Sequence, residues 1–364
     1  MLRVAQIAPL NESVPPQLYG GTERIVSYLT EEMVRQGHDV TLFASGDSNT
    51  AARLVRCSDV ALRLDPSVKD PLPYHVIMLE EVRQRADDFD VLHFHIDLLH
   101  APLIREFSDR SVTTLHGRLD LPDLEPFYNT FWDLPVVSIS LDQRRPIPSA
   151  NWVGNVYHGL PRDLLPFHGY PADGGYLAFA GRISPEKRPD HAIEIAKRAA
   201  LPLKIAAKID KVDQAYWDEL IEPMVRSHFN VEYIGEVEEG EKGDFFGNAR
   251  ALLFPIDWPE PFGLVMIEAM ACGTPVIAFR RGSVPEVIED GVTGVIVDSI
   301  DEAVEALERL DELDRAKVRT SFEQRFTADR MARDYLEIYC NLPGVRLRTT
   351  RLPRRKGVIP SSPQ

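Results

Sequence analysis

The chain has 364 residues, 44% of them hydrophobic and 27% charged, a composition that suits a globular protein long enough for two domains. Its net charge of −15 argues against general nucleic-acid binding by the whole chain. Three scattered cysteines, Cys57, Cys272 and Cys340, make neither a disulfide framework nor a metal spacing, which suits a reducing cytoplasm, and no apolar run approaches a membrane span.

The opening MLRVAQIAPL reads as a short strand rather than a signal peptide, because its apolar run soon gives way to Asn11 and Glu12. In the following loop Gly20 and Gly21 stand at the mouth of a helix, GGTERIVSYLTEEMVRQG, with Gly37 at its end. The loop lacks G-x-G-x-x-G, which speaks against a nicotinamide site. HDVTLFAS, FDVLHFH, SVTTLH and PVVSIS follow as strands. His93 and His95 alternate on one of them; with no third ligand at a suitable spacing, they read as one buried and one cleft-edge histidine. His116 closes SVTTLH just before Gly117, at the carboxyl end of its strand.

Pro and Gly from about Gly159 to Gly175 mark a linker. A second alternating series then runs GYLAFAGR, LPLKIAAK, FNVEYIG, ALLFPI, TPVIAF and TGVIVD. Strands alternating with helical segments imply parallel sheets with crossover helices, and ligands at the carboxyl ends of the strands. GRISPEKR puts Arg182 at a strand end and Lys187 at the start of the next helix or its loop, a fork donor and a point charge that together suit a diphosphate.

The most informative segment is EPFGLVMIE. Pro261 suits the first turn of a helix, so Glu260 is expected in the loop before it and Glu268 about two turns along. Gly263 permits close approach to the backbone, and the first N–H groups of the helix can bind an anion. A loop carboxylate, an anion site and a helix carboxylate, in that order, fit a ligand with hydroxyls at both ends and phosphates between, such as a nucleotide sugar. EPFGLVMIEAMACGTPVIA, followed by GSVPEVIEDGVTGVIVD, closely resembles the donor-site signature of the retaining glycosyltransferases of family 4, and the similarity extends to about Leu342.

The resemblance implies an α/β fold of GT-B type, two Rossmann-like domains with parallel sheets facing a central cleft. The expected acceptor-side domain spans residues 1–160, with a crossover helix at about 328–342, and the nucleotide-sugar domain spans 170–327. Within the donor site, the resemblance gives Glu268 the ribose hydroxyls and Glu260 the hydroxyls of the transferred hexose. N–H groups near Phe262, Gly263 and Leu264 take sugar or phosphate oxygens. Arg182 and Lys187 match the family's diphosphate clamp, Gly21 and then Gly20 its close approach to phosphate, and His116 its active-site histidine. Asp257 and Trp258 depart from the small polar residues expected before Glu260, and Glu286 reads as either a cap or a base-side contact.

Asp88 and Asp90 have the D-x-D spacing that holds Mn²⁺ in another glycosyltransferase architecture, but they precede their strand and so lie away from the cleft. Hence no metal and no cofactor are expected, the cations taking the electrostatic place of a metal. The expected reaction moves a hexosyl group from a nucleotide-diphosphate sugar to a saccharide, lipid-linked or small-molecule acceptor, with no nucleic acid as partner. A GT-B epimerase would need acid–base carboxylates in the first domain, which are not evident. A non-catalytic sugar-nucleotide sensor is opposed by the intact set of chemical residues, and a glycoside hydrolase needs two carboxyls across one bond. The tail from Arg346 to Gln364 carries six basic residues and no acidic one. It reads as a disordered, solvated tail or as a tether that holds a cytoplasmic protein at an anionic membrane.

Overall fold

The computed structural model describes residues 1–17 and 20–345; the basic tail lies outside the described residues. The first sheet holds seven parallel strands in the order β3-β2-β1-β4-β5-β6-β7. These are β1 Arg3–Ile7, β2 Asp39–Ser45, β3 Arg53–Ser58, β4 Val91–Phe94, β5 Ser111–Thr114, β6 Val136–Ser138 and β7 Trp152–Asn155. The second sheet holds six, ordered β10-β9-β8-β11-β12-β13 and also parallel. They are β8 Leu177–Arg182, β9 Leu203–Lys208, β10 Val231–Gly235, β11 Ala251–Phe254, β12 Val276–Phe279 and β13 Gly294–Val297. Two Rossmann-like halves with helices on their sheets make up the GT-B architecture. Their inner strands are buried along whole runs, VAQI, VLHF and ALLF among them, because helices cover both faces.

The chain crosses between the halves twice, and the crossings touch. Leu160 N donates to Phe326 O at 2.9 Å, and Ala328 N donates to Leu160 O at 2.8 Å. Gly159 is needed there, since a Cβ would sit 2.3 Å from Thr327 O. Thr327 then caps the helix Ala328–Asn341, its hydroxyl accepting from Arg330 N. That helix returns to the first sheet, where its buried Met331, Tyr335 and Tyr339 share a core with Ile25, Leu29 and Met33 of the helix Gly21–Arg35. Among the described residues no helix is long and apolar enough to cross a membrane.

The expected start of the helix after Glu260 needs correction. It begins at Leu264 and ends at Ala271. Gly263 precedes it at φ +79°, a left-handed conformation that stops the helix from extending back to Pro261. Pro261 therefore belongs to the loop, and Glu268 stands one turn in rather than two.

Candidate active site

The carboxyl ends of both sheets face a cavity of about 940 Å³. The first half lines it with Gly20, Gly21, Thr22, Arg24, His116 and His158. The second half contributes Gly181, Lys187, Lys242, the run from Glu260 to Val265, and Glu268. A narrower recess of about 110 Å³ branches off between Lys208, Lys242, Phe245 and Glu268. On the other side, a cavity of about 440 Å³ opens beyond Trp258 and Pro261, walled by Arg118, Asp142 and Arg281.

Two helices begin at the main cavity. Gly21 opens one and Leu264 the other, and a Cβ on Gly21 would lie 3.7 Å from Leu264 Cδ1. No described side chain caps either N-terminus. Their N–H groups and positive dipole ends converge on one spot, a ready site for phosphate oxygens. Gly20 is required for packing, since a Cβ there would meet Pro16 Cβ at 2.8 Å.

Glu260 and Glu268 stand on either side of this spot. The buried Glu260 accepts from Lys187 Nζ in a short ion pair and from Trp258 Nε1 at 2.8 Å. Its peptide is fixed by Gly282, whose φ is +52° and where a Cβ would lie 2.4 Å from both Glu260 N and O. Glu268 is 3% exposed, and its Oε1 accepts from Lys242 Nζ at 2.6 Å. Burial disfavours the Lys242 charge, but the Glu268 and Glu239 carboxylates outweigh it and raise its pKa. Phe262 is 2% exposed and meets the His158 ring edge-on at 4.9 Å, so its side chain backs the cavity wall.

Lys187 reaches the cavity, with Nζ 5.1 Å from the centre of the Trp258 ring. Arg182 is placed otherwise than expected. Ala180 and Gly181 of β8 line the cavity, whereas the Arg182 side chain lies toward Glu186, Asp210 and Asp213, at 3.7, 3.7 and 3.9 Å. Those separations are too long for hydrogen bonds, so Arg182 is held there by charge attraction alone.

His116 also lines the cavity, just past β5. His93 and His95 are both buried, at 0% and 2% exposure, which corrects the expectation that one reaches the cleft edge. His93 bonds Tyr339 Oη at 2.6 Å and Thr114 Oγ1 at 2.7 Å, while His95 bonds His116 and Gln6. Tyr335 and Tyr339 of the crossover helix cover His93, while His93, His116 and Gln6 pack around His95. Asp90 holds Arg3 at 2.8 Å at the amino end of β1, on the sheet edge away from the cavity. Glu286 is not a base-side contact. It accepts from Leu141 N and Asp142 N, both at 2.7 Å, and from Tyr157 Oη at 3.0 Å, so it caps a turn of the opposite half.

Arg24, Glu239, Lys242 and His158 are cavity residues that escaped the sequence reading. Arg24 and Tyr28 clasp Glu239 across the cleft, at 2.5 and 2.8 Å. Arg24 lies three residues past Gly21 on the same helix face, a signal available in GGTER. Lys242 and Glu239 sit in the charge-rich run EVEEGEK, which reads as a solvated loop without the fold.

Two family models cover most of the described chain. Residues 19–153 match Glycosyltransferase Family 4, and residues 164–326 match Glycosyl transferases group 1. The chain is 26% identical to a phosphatidyl-myo-inositol mannosyltransferase of Mycolicibacterium smegmatis, over 83% of this chain and 82% of that protein. It is 30% identical to a D-inositol 3-phosphate glycosyltransferase of Streptomyces coelicolor, but over only 45% of this chain and 38% of that protein. Among solved structures, AviGT4, a glycosyltransferase involved in avilamycin A biosynthesis, aligns with a TM-score of 0.70 at 23% identity, covering 94% of this chain and 98% of that one. Anabaena Alr3699/HepE in complex with UDP and glucose aligns at 0.72 and 17% identity, covering 94% and 100%. At such identities the structural likeness is one of fold.

Proposed function

We propose, from the premise that the chain is a glycosyltransferase of GT-B fold broadly related to the group 1 and family 4 enzymes, that it transfers a hexosyl group from a nucleotide-diphosphate sugar with retention of anomeric configuration. The observation that carries this reading is the convergence of two helix N-termini on one spot, flanked by Glu260 with Lys187 and by Glu268 with Lys242. The diphosphate takes the helix ends and Lys187, with Arg182 recruited from its loose carboxylate pairs. The ribose hydroxyls take Glu268, the base enters the recess beside Lys208 and Phe245, and the hexose lies between Glu260 and His116.

As the sugar–phosphate bond breaks, negative charge grows on the leaving diphosphate. Fixed cations and helix ends stabilise that charge more than they stabilise the bound donor. In a front-face displacement the same phosphate oxygens help to take the proton from the acceptor hydroxyl. The acceptor enters from the cavity beyond Trp258, whose indole N–H already orients Glu260. We further propose a cytoplasmic, membrane-peripheral location through the basic tail; deleting Arg346–Gln364 is expected to weaken binding to anionic vesicles, and equal binding would leave a solvated tail.

The test is proton NMR of acceptor-free turnover on α-configured UDP-, GDP- and ADP-sugars, with and without EDTA. The expected result is one donor hydrolysed with the α-hexose released first, at a rate unaffected by EDTA. First release of the β anomer would overturn retention. Conversion of the sugar to an epimer without cleavage would support an epimerase instead.

A further inference from the structure

Under the first-half wall of the cavity lies a chain of hydrogen bonds that the reaction scheme above does not use. Gln6 is on β1, His95 just past β4 and His116 just past β5, three strands that are neighbours in the sheet. Gln6 Oε1 is 2.8 Å from His95 Nε2, and His95 Nδ1 is 2.9 Å from His116 Nε2. On the other side of the amide, Gln6 Nε2 lies 3.4 Å from both Met33 Sδ and Tyr339 Oη.

These contacts fix the proton positions one after another. A thioether can accept but has no proton to give, so the amide nitrogen belongs beside Met33 and the amide oxygen beside His95. A carbonyl oxygen only accepts, so His95 carries its proton on Nε2. Its Nδ1 is then a bare lone pair, and His116 must carry its proton on Nε2 to donate to it. His116 Nδ1 is left unprotonated. That nitrogen is buried and has no hydrogen-bond partner among the described residues, although its ring lines the cavity. A buried acceptor without a partner is costly and calls for an explanation. The His158 ring stacks on His116 at 5.3 Å between centres and 18° between planes, which holds the imidazole in one orientation.

We infer that Gln6 and His95 are positioning residues that hold His116 as the Nε2–H tautomer, so that its Nδ1 accepts a hydrogen bond from a hydroxyl of the donor sugar or of the acceptor. This rests on reading the cavity as a glycosyl-transfer site. Burial pushes the His116 pKa down to about 3, so the ring stays neutral at physiological pH and orients the hydroxyl rather than removing its proton.

The test uses the full chain labelled with ¹⁵N at histidine. Long-range ¹H–¹⁵N correlation reads which ring nitrogen is protonated, with the His116 signals assigned by their loss in His116→Asn. The native protein is expected to show His116 protonated at Nε2 and bare at Nδ1. Gln6→Leu and His95→Phe are expected to mix the tautomers and lower turnover about tenfold or more at unchanged donor KM, as loss of a tautomer-fixing partner does elsewhere. His95→Asn, whose amide oxygen stands near the lost Nδ1, is expected to keep the tautomer and most of the turnover. The probes are UDP-glucose, GDP-mannose and ADP-glucose, with and without an accepting sugar. Loss in both hydrolysis and transfer assigns the hydroxyl to the donor, and loss in transfer alone assigns it to the acceptor. A proton on Nδ1 in the native protein, or an unchanged tautomer in folded Gln6→Leu, overturns the inference. If Gln6→Leu does not fold, the native spectrum still decides. Because that spectrum needs no substrate, the expected tautomer in a protein that turns over no nucleotide sugar would overturn the transferase reading and leave the relay standing.

Discussion

Glu260 is held by two donors at once, and one of them, Lys187, is also a cation that lines the cavity of the expected phosphate site. Removing Lys187 therefore has two separable effects. The buried Glu260 carboxylate loses its charge partner, which costs about 3–5 kcal/mol for a fully buried pair and less here, where the side chains are 14% and 11% exposed. The leaving diphosphate also loses a cation, at a cost of about a hundredfold in turnover. We expect Lys187→Ala to lower both stability and turnover, and the double variant Lys187→Ala/Glu260→Gln to recover stability but not turnover. Arg182→Ala is expected to slow turnover with little loss of stability, because its ion pairs are long. Thermal melts alongside steady-state kinetics check this; full turnover at saturating donor in both single variants would leave these residues as structural charges. Glu260, Glu268, Lys187 and His116 were legible in the sequence because strand ends and helix starts are local features. Glu239 was not, since it is 215 residues from Arg24 and only the fold brings the two together.

At the scale of elements, the helix Leu264–Ala271 depends on two glycines with positive φ, one at its start and one beneath the loop that leads into it. Gly282→Ala would drive a methyl group into the Glu260 peptide, where the atoms in the way are backbone and cannot rotate aside. Left-handed strain alone costs about 1–2 kcal/mol, and the displaced loop carries Glu260 with it. We expect Gly282→Ala to lower turnover more than it lowers affinity for free nucleoside diphosphate, whose site is one helical turn away. Parallel calorimetry and kinetics test this; equal losses in both would mean that the whole helix has moved. The inner strands were legible as apolar runs. The strands that escaped notice, β3 and β7, are the two edges of the first sheet, and their partly exposed residues RLVRCS and WVGN form no such run. The helix start was misplaced for a related reason. Pro261 is a good N-terminal residue, but the left-handed turn at Gly263 is visible only in the backbone.

For the whole molecule, five histidines shielded from solvent in whole or in part tie stability to pH. Burial lowers the pKa of His93, His95, His100, His116 and His158, reaching about 3 in His100 and His116. In the unfolded chain these groups titrate near 6.5. As pH falls below about 6.5 the unfolded chain takes up protons that the fold refuses, and stability drops by about 1.4 kcal/mol per pH unit for each proton. The melting temperature is thus expected to be level above pH 7 and to fall steadily from pH 6.5 to 5; a level profile through that range would show that the rings are not buried as described. In the proposed donor complex the same architecture holds a nucleotide sugar with its nucleoside on Glu268 and its hexose on Glu260. Calorimetric titration of the wild type, Glu268→Ala and Glu260→Ala with UDP, GDP and ADP tests it most directly. One nucleotide should bind the wild type, bind Glu268→Ala more weakly by about 1.5–3 kcal/mol, and bind Glu260→Ala with nearly unchanged affinity. Binding of none of the three to the wild type, or loss of affinity in Glu260→Ala with Glu268→Ala unaffected, would rule out this placement of the donor.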